Sequence, residues 1–140
     1  MRFLDRLQPL ALLVMRVALG AIMVAHGAQK IFGGGMQNTE RIVSGIGFPW
    51  WVTYLVAVTE LGGGVLVLVG LLTRLGALGI FVELCVAIAK VHWKSGLRGP
   101  NGFEFPMACA AIAFALIFFG AGPISLDWAF FRGGGAGPKK

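Results

Sequence analysis

The chain has 140 residues, 57% hydrophobic and 13% charged, and a formal net charge of +6. Its mean hydropathy of +0.82 is more apolar surface than a soluble domain of this size can bury, which excludes a soluble fold and predicts an all-α integral membrane four-helix bundle. The basic excess lies at run ends and in loops, where it anchors helices and meets anionic lipid, so nucleic acid is not an expected partner and the lipid bilayer is.

The first apolar run covers about residues 10–32. Arg2 and Arg6 precede it as they would a signal peptide. The run is too long for one, contains Arg16, and ends in Gln29-Lys30 without a small-x-small cleavage site, so it is expected to be retained. Gly33-Gly34-Gly35 ends it. Asn38 is placed to cap a short helix through Glu40 to Ile46, and Gly47-Phe48-Pro49 turns into the second run. That run covers about residues 50–72, with Gly62-Gly63-Gly64 as a place to bend. Thr73-Arg74 is a tight hinge into a third run at about 75–93. Gly99-Pro100-Asn101-Gly102 separates it from a fourth at about 103–120, which Gly122-Pro123 closes. Each run approaches the roughly 20 residues that cross about 30 Å of hydrocarbon, and lipid forces such segments to be helical. A single domain over 1–132 and a flexible basic tail over 133–140 follow. Trp50, Trp51, Trp93, Phe103 and Trp128 sit near run ends, as an interfacial belt would. Four crossings put both termini on one side. Six basic residues on that side (Arg2, Arg6, Arg74, Arg132, Lys139, Lys140) against five on the other (Lys30, Arg41, Lys90, Lys94, Arg98) favour cytoplasmic termini.

Three full charges interrupt these runs: Arg16, Glu60 and Glu83. A charge in hydrocarbon costs at least about 2.5–3.5 kcal/mol, so each must be paired or used. Counting from the hinge side at about 1.5 Å per residue, Arg16 and Glu83 fall roughly 10–12 Å deep and Glu60 roughly 18 Å. Arg16 is then expected to pair with either glutamate or to sit between them. That arrangement reads either as a structural ion pair fixing helix register or as a proton-linked, ligand-binding polar site. Two glutamates near one arginine leave one carboxylate short of a partner. Lys90, one heptad beyond Glu83, could supply one; otherwise that carboxylate suits proton exchange with a quinol or similar small molecule.

His26 lies within about 80–100° of Arg16 on a helical wheel, with Gly27 and Lys30 nearby, which makes one polar-leaning face on the first helix. It reads either as an interfacial histidine or as a proton-passing one at the outer mouth of the bundle. His92 points away from Glu83, which disfavours a bis-histidine haem. Cys85 and Cys109 lack CxxC or zinc spacing and read as small core residues. Glu104 opens the fourth helix, where a carboxylate suits the helix dipole.

Several segments together resemble one family. They are His26-Gly27-Ala28-Gln29-Lys30-Ile31-Phe32-Gly33, Gly47-Phe48-Pro49, Glu60-Leu61-Gly62-Gly63, Gly70-Leu71-Leu72-Thr73-Arg74, Phe103-Glu104-Phe105-Pro106, and Gly122-Pro123 with Ser125-Leu126-Asp127. Their ordered set resembles the DoxX family of small four-helix bacterial membrane proteins. The resemblance implies a bundle in the bacterial cytoplasmic (inner) membrane with cytoplasmic termini. It also implies a redox association, either as the small membrane subunit of a thiosulfate:quinone oxidoreductase or in membrane complexes with superoxide dismutase and a sulfurtransferase. More distant relatives look like cargo receptors or assembly chaperones. His26, Gln29, Lys30, Glu60, Thr73, Arg74 and Glu104 are the positions that match family motifs.

Two functions follow as expectations. In the first, Glu60 and His26 are catalytic, handling protons for a quinone-like molecule held between helices. Arg16, Gln29, Lys30, Glu83 and Glu104 then bind ligand, and soluble redox enzymes supply electrons, since no metal or flavin motif is visible. In the second, the protein is a non-enzymatic anchor or assembly scaffold. Transport would require a homo-oligomer.

Overall fold

The computed structural model describes Leu4 and residues 6–132, all helix and connecting turn with no strand among them. Arg2, Lys139 and Lys140 and the tail expected over 133–140 lie outside the described residues. Helix α1 is Gln8–Phe32, opening with Pro9 in its first turn, where a missing N–H costs nothing. Helix α2 is Met36–Gly45, a short amphipathic helix that buries Thr39 and Val43. Helix α3 is Val52–Val69 and α4 is Thr73–Ser95; with α1 these are the three helices long and apolar enough to cross a membrane. Helix α5, Glu104–Phe119, is apolar but shorter, with 16 residues, or about 24 Å at 1.5 Å per residue. A π-helical turn, Trp128–Arg132, closes the described chain.

Both α3 and α4 carry a π-helical turn, at Thr59–Gly63 and Ile88–His92 respectively. A π turn inserts one extra residue into the hydrogen-bond ladder and rotates the preceding segment against the following one. Glu60 sits in the first and His92 in the second. The glycine run at 62–64 thus produces a π turn rather than a simple bend.

The helices pack in one group, α4 along α5 and α1 along the second half of α3. Contact between α1 and α3 is backbone-close, because glycine faces the partner helix at each crossing level. A Cβ on Gly20 would come within 2.7 Å of Leu68, one on Gly64 within 2.8 Å of the Val24 nitrogen, and one on Gly27 would strike Leu61. Small residues are the usual means of close approach in lipid, where no hydrophobic effect drives helices together. These crossings also set the register: Arg16 stands level with Gly70, Gly20 with Leu68, and Gly27 with Leu61. The first turns of α1 therefore overhang the α3–α4 hinge, whereas counting each run from a common edge places residue 10 level with residue 72.

The buried core joins Leu19 and Met23 of α1, Val67 of α3, Ala77 and Ile80 of α4, and Cys109, Ala113 and Leu116 of α5. Most of it lies toward the hinge. Away from the hinge the helices part around a cavity of about 1000 Å³. The molecule has a packed half and a hollow half, and the charges divide between them.

Candidate functional site: a carboxylate and lysine cluster in an apolar cavity

In the packed half, Arg16 is only 2% exposed and is bonded entirely to main-chain carbonyls. Its Nε donates to Val67 O at 3.1 Å and Nη2 to Leu68 O at 3.1 Å. Its Nη1 donates to Ala121 O at 3.0 Å and Ile124 O at 2.6 Å. Val67 and Leu68 lie in the last turn of α3, whose carbonyls have no partner within the helix and carry the negative end of its dipole. The planar guanidinium satisfies that helix end and the turn after α5 together. Gly70, at φ +74, provides the room, because any Cβ there would collide with the guanidinium.

Asp127 completes the clasp. Its Oδ1 accepts from Leu72 N at 2.6 Å and Oδ2 from Thr73 N at 3.0 Å, while its own N–H donates to Gly70 O at 2.7 Å. This is an N-terminal cap for α4 supplied from the far end of the chain. It holds Leu72 in the left-handed region at φ +47, a conformation unfavourable for a branched side chain. The expected pairing of Arg16 with Glu60 or Glu83 is not what the structure shows. The overhang of α1 brings Arg16 to the hinge instead.

In the hollow half, Lys30 near the end of α1 reaches down to form an ion pair between its Nζ and Glu60 Oε2. The Lys30 side chain is 20% exposed and that of Glu60 8%. Glu83 on α4 lies within electrostatic reach of both, yet its Oε2 is buried and has no hydrogen-bond partner among the described residues. His26, one turn before Lys30, uses its Nδ1–H to donate to Ile22 O at 2.9 Å. Its ring stacks on Phe105 of α5 at 5.9 Å. His26, Lys30, Glu60 and Glu83 all line the same cavity. So do His92, whose Nδ1–H donates to Asn101 O at 2.9 Å, and Thr59.

The other expected site residues lie elsewhere. Gln29 is exposed, and its backbone carbonyl accepts from Gly33 N at 2.9 Å to close α1. Glu104 is exposed in the first turn of α5. Lys90 is exposed, and among the described residues it forms no ion pair with Glu83. Phe105 and Asp127 were not singled out from sequence. Both lie in motifs quoted for the family, and that was the available signal.

Polar groups occupy one end of a wall that is otherwise apolar. Along α4 the wall comprises Leu75, Leu78, Gly79, Val82, Glu83, Val86 and Ala87, which is one helix face at i, i+3, i+4 spacing. Helix α2 covers the open end through Asn38, Thr39, Ile42 and Val43. Pockets with a few convergent polar groups in an apolar wall are the usual form of a small-molecule site.

Comparison with known proteins agrees with this architecture. The DoxX family profile matches residues 11–93, which covers α1 to the end of the second π turn. The chain is 35% identical to the Bacillus subtilis protein named "Putative oxidoreductase CatD", over 86% of this chain and 87% of that one. It is 29% identical to "Inner membrane protein YphA" of Escherichia coli over 86% of this chain and 90% of that one. It is 32% identical to "Inner membrane protein YqjF" of Escherichia coli over 54% of this chain and 56% of that one. No solved structure matches the chain. An all-helical chain with three apolar helices of membrane length, matched by the family profile over more than half its residues, belongs to the DoxX family of membrane proteins.

Proposed function

We propose that this chain is a redox-associated subunit of the bacterial inner membrane that holds a quinone-like molecule at the Lys30–Glu60–Glu83 cluster. The observation that carries the reading is the ion pair with a second carboxyl group, Glu83, which hydrogen-bonds Glu60 and leaves its own Oε2 unpartnered, at one end of an apolar cavity of about 1000 Å³. Intramembrane ionisable residues facing a cavity are expensive and mark ligand or proton paths. Glu60 and His26 exchange protons with the bound head. Lys30 keeps Glu60 charged. Electrons come from a soluble enzyme docked at the membrane surface. The chain crosses the membrane four times, with α5 as the short crossing and both termini in the cytoplasm. The names of the Bacillus subtilis and Escherichia coli relatives support the redox and inner-membrane parts of this reading.

The test uses purified protein with the enzymes encoded beside it, following quinol formation by absorbance. Glu60→Gln keeps the shape and removes the charge, and removal of an acid–base group lowers turnover by roughly 10²–10⁴-fold. If turnover and quinone binding are both unchanged, the role given to Glu60 is wrong.

A second reading, a membrane anchor or assembly scaffold without chemistry, is favoured by Arg16 and Asp127, whose observed bonds are all to the chain's own backbone. It predicts co-purification with soluble enzymes and no shift of melting temperature with any small apolar ligand.

A further inference from the structure

The hinge end carries a second cavity, of about 580 Å³, away from the Lys30–Glu60 pair. Ligand sites usually measure about 300–1,000 Å³. It is lined by the start of α4, by the turn after α5, and by Phe119, Trp128 and Phe131.

Two opposite charges line this cavity, Arg74 and Asp127, and no ion pair joins them among the described residues. Arg74 uses Nη2 to donate to Phe118 O at 3.1 Å. Its Nε and Nη1 have no partner among the described residues, so the guanidinium keeps most of its N–H donors. Asp127 accepts one backbone N–H on each carboxylate oxygen, and each oxygen has a further lone pair. Thr73, also on the cavity wall, is fully buried, and its Oγ1 has no hydrogen-bond partner among the described residues. A lone anion fits poorly here, because Asp127 repels it beside Arg74. A lone cation fits poorly for the converse reason. A head that carries a phosphate and an ammonium on one short linker satisfies both charges and the hydroxyl.

The surroundings match a lipid rather than a soluble compound. Phe119 is 71% exposed, Phe131 68%, and Leu75 in the first turn of α4 62%. Aromatic side chains collect where headgroups meet acyl chains, and Leu75 leads from the cavity along the apolar surface of α4.

We propose that the hinge-end cavity is a headgroup site for a zwitterionic phospholipid with a primary ammonium, phosphatidylethanolamine. The phosphate accepts from Arg74 and Thr73, the ammonium donates to Asp127, and the acyl chains run past Leu75. This site is separate from the Lys30–Glu60 cavity and does not depend on what that cavity holds.

The experiment offers full-length protein in detergent equimolar phosphatidylethanolamine, phosphatidylcholine and phosphatidylglycerol with the same acyl chains, and counts bound lipid by native mass spectrometry. The ethanolamine lipid should be retained about tenfold or more over the other two, as a charge-assisted contact to Asp127 implies, since choline has no N–H and glycerol no cation. Arg74→Gln should weaken all three, and Asp127→Asn should bring the ethanolamine lipid down to the choline lipid. Should Asp127→Asn fail to fold, the wild-type ranking and Arg74→Gln still decide the matter. Inorganic phosphate and free phosphoethanolamine, at matched concentration, should leave the lipid in place; displacement by either assigns the cavity to a soluble phosphate compound and overturns the lipid site. Equal retention of the three lipids, or retention of the glycerol lipid above the others, overturns the proposal. So does an ethanolamine preference that survives both substitutions.

Discussion

At the scale of single residues, the intramembrane charges have opposite fates for a physical reason. Arg16 faces helix ends and turns, where carbonyls lack partners, and it meets four of them. Lys30 and Glu60 face a cavity, where their charges are offset by each other. Arg16→Met should therefore cost about 3 kcal/mol or more, because buried carbonyls left unpaired cost roughly 1–3 kcal/mol each. Arg16→Lys should recover only part of that, since one ammonium cannot bridge the α3 end and the turn after α5 as a planar fork does. Thermal unfolding in detergent followed by circular dichroism measures both; an unchanged melting temperature for Arg16→Met would refute the clasp. Lys30→Gln removes a partly exposed group from the cavity wall and should lower the melting temperature far less. The presence of these charges was legible in the sequence, and so was the need to pair them. Their partners were not, because pairing depends on inter-helix register, which Gly20, Gly27, Gly64 and Gly70 set by backbone contact. A glycine in an apolar run shows that something comes close, without showing what.

At the scale of elements, hydropathy located the helices well. Runs expected at 10–32, 50–72, 75–93 and 103–120 are observed as Gln8–Phe32, Val52–Val69, Thr73–Ser95 and Glu104–Phe119, and the short loop helix is Met36–Gly45. Periodicity carries no information about the π turns, since a window apolar on every side looks the same with or without an inserted residue. Yet Glu60 sits in the first π turn. Deleting Gly62, where an added Cβ would meet nothing within 4 Å, should remove the extra residue, convert that turn to α-helix and keep Glu60 in register with the rest of α3. Carbodiimide cross-linking with mass spectrometry reads the outcome directly. Wild type and the deletion should both yield a Lys30–Glu60 isopeptide bond with native helix content. Loss of the cross-link in the deletion would mean that the extra residue itself positions Glu60. Asp127→Ala tests the other end of α3–α4. Loss of the cap should cost about 1–2 kcal/mol, with faster amide exchange confined to Leu72, Thr73 and their neighbours.

At the scale of the whole molecule, the packed half and the hollow half lie toward opposite ends of the long apolar helices, which ties the proposed function to topology. The hinge, Arg16 and Asp127 lie at the end where α1 begins; the Lys30–Glu60 pair and the α2 cover lie toward the end where α1 finishes. If both termini lie in the cytoplasm, as proposed, α2 and the mouth it covers face the outside, and protons released at Glu60 and His26 would leave on that side. The orientation can be read with single cysteines in a chain whose Cys85 and Cys109 have been replaced by alanine. Arg41 is exposed on α2 and Arg6 is exposed before α1. In intact spheroplasts, a membrane-impermeant maleimide should label Arg41→Cys and spare Arg6→Cys; after lysis both should react. The opposite pattern would place the cavity mouth on the cytoplasmic side, and protons exchanged at Glu60 and His26 would then be released inward. Labelling of both in intact spheroplasts would mean that α1, counted here as one crossing, does not span the bilayer. Because α1 carries Arg16 at one level and Lys30 about 21 Å further along, this single measurement ties both charge clusters to their surfaces.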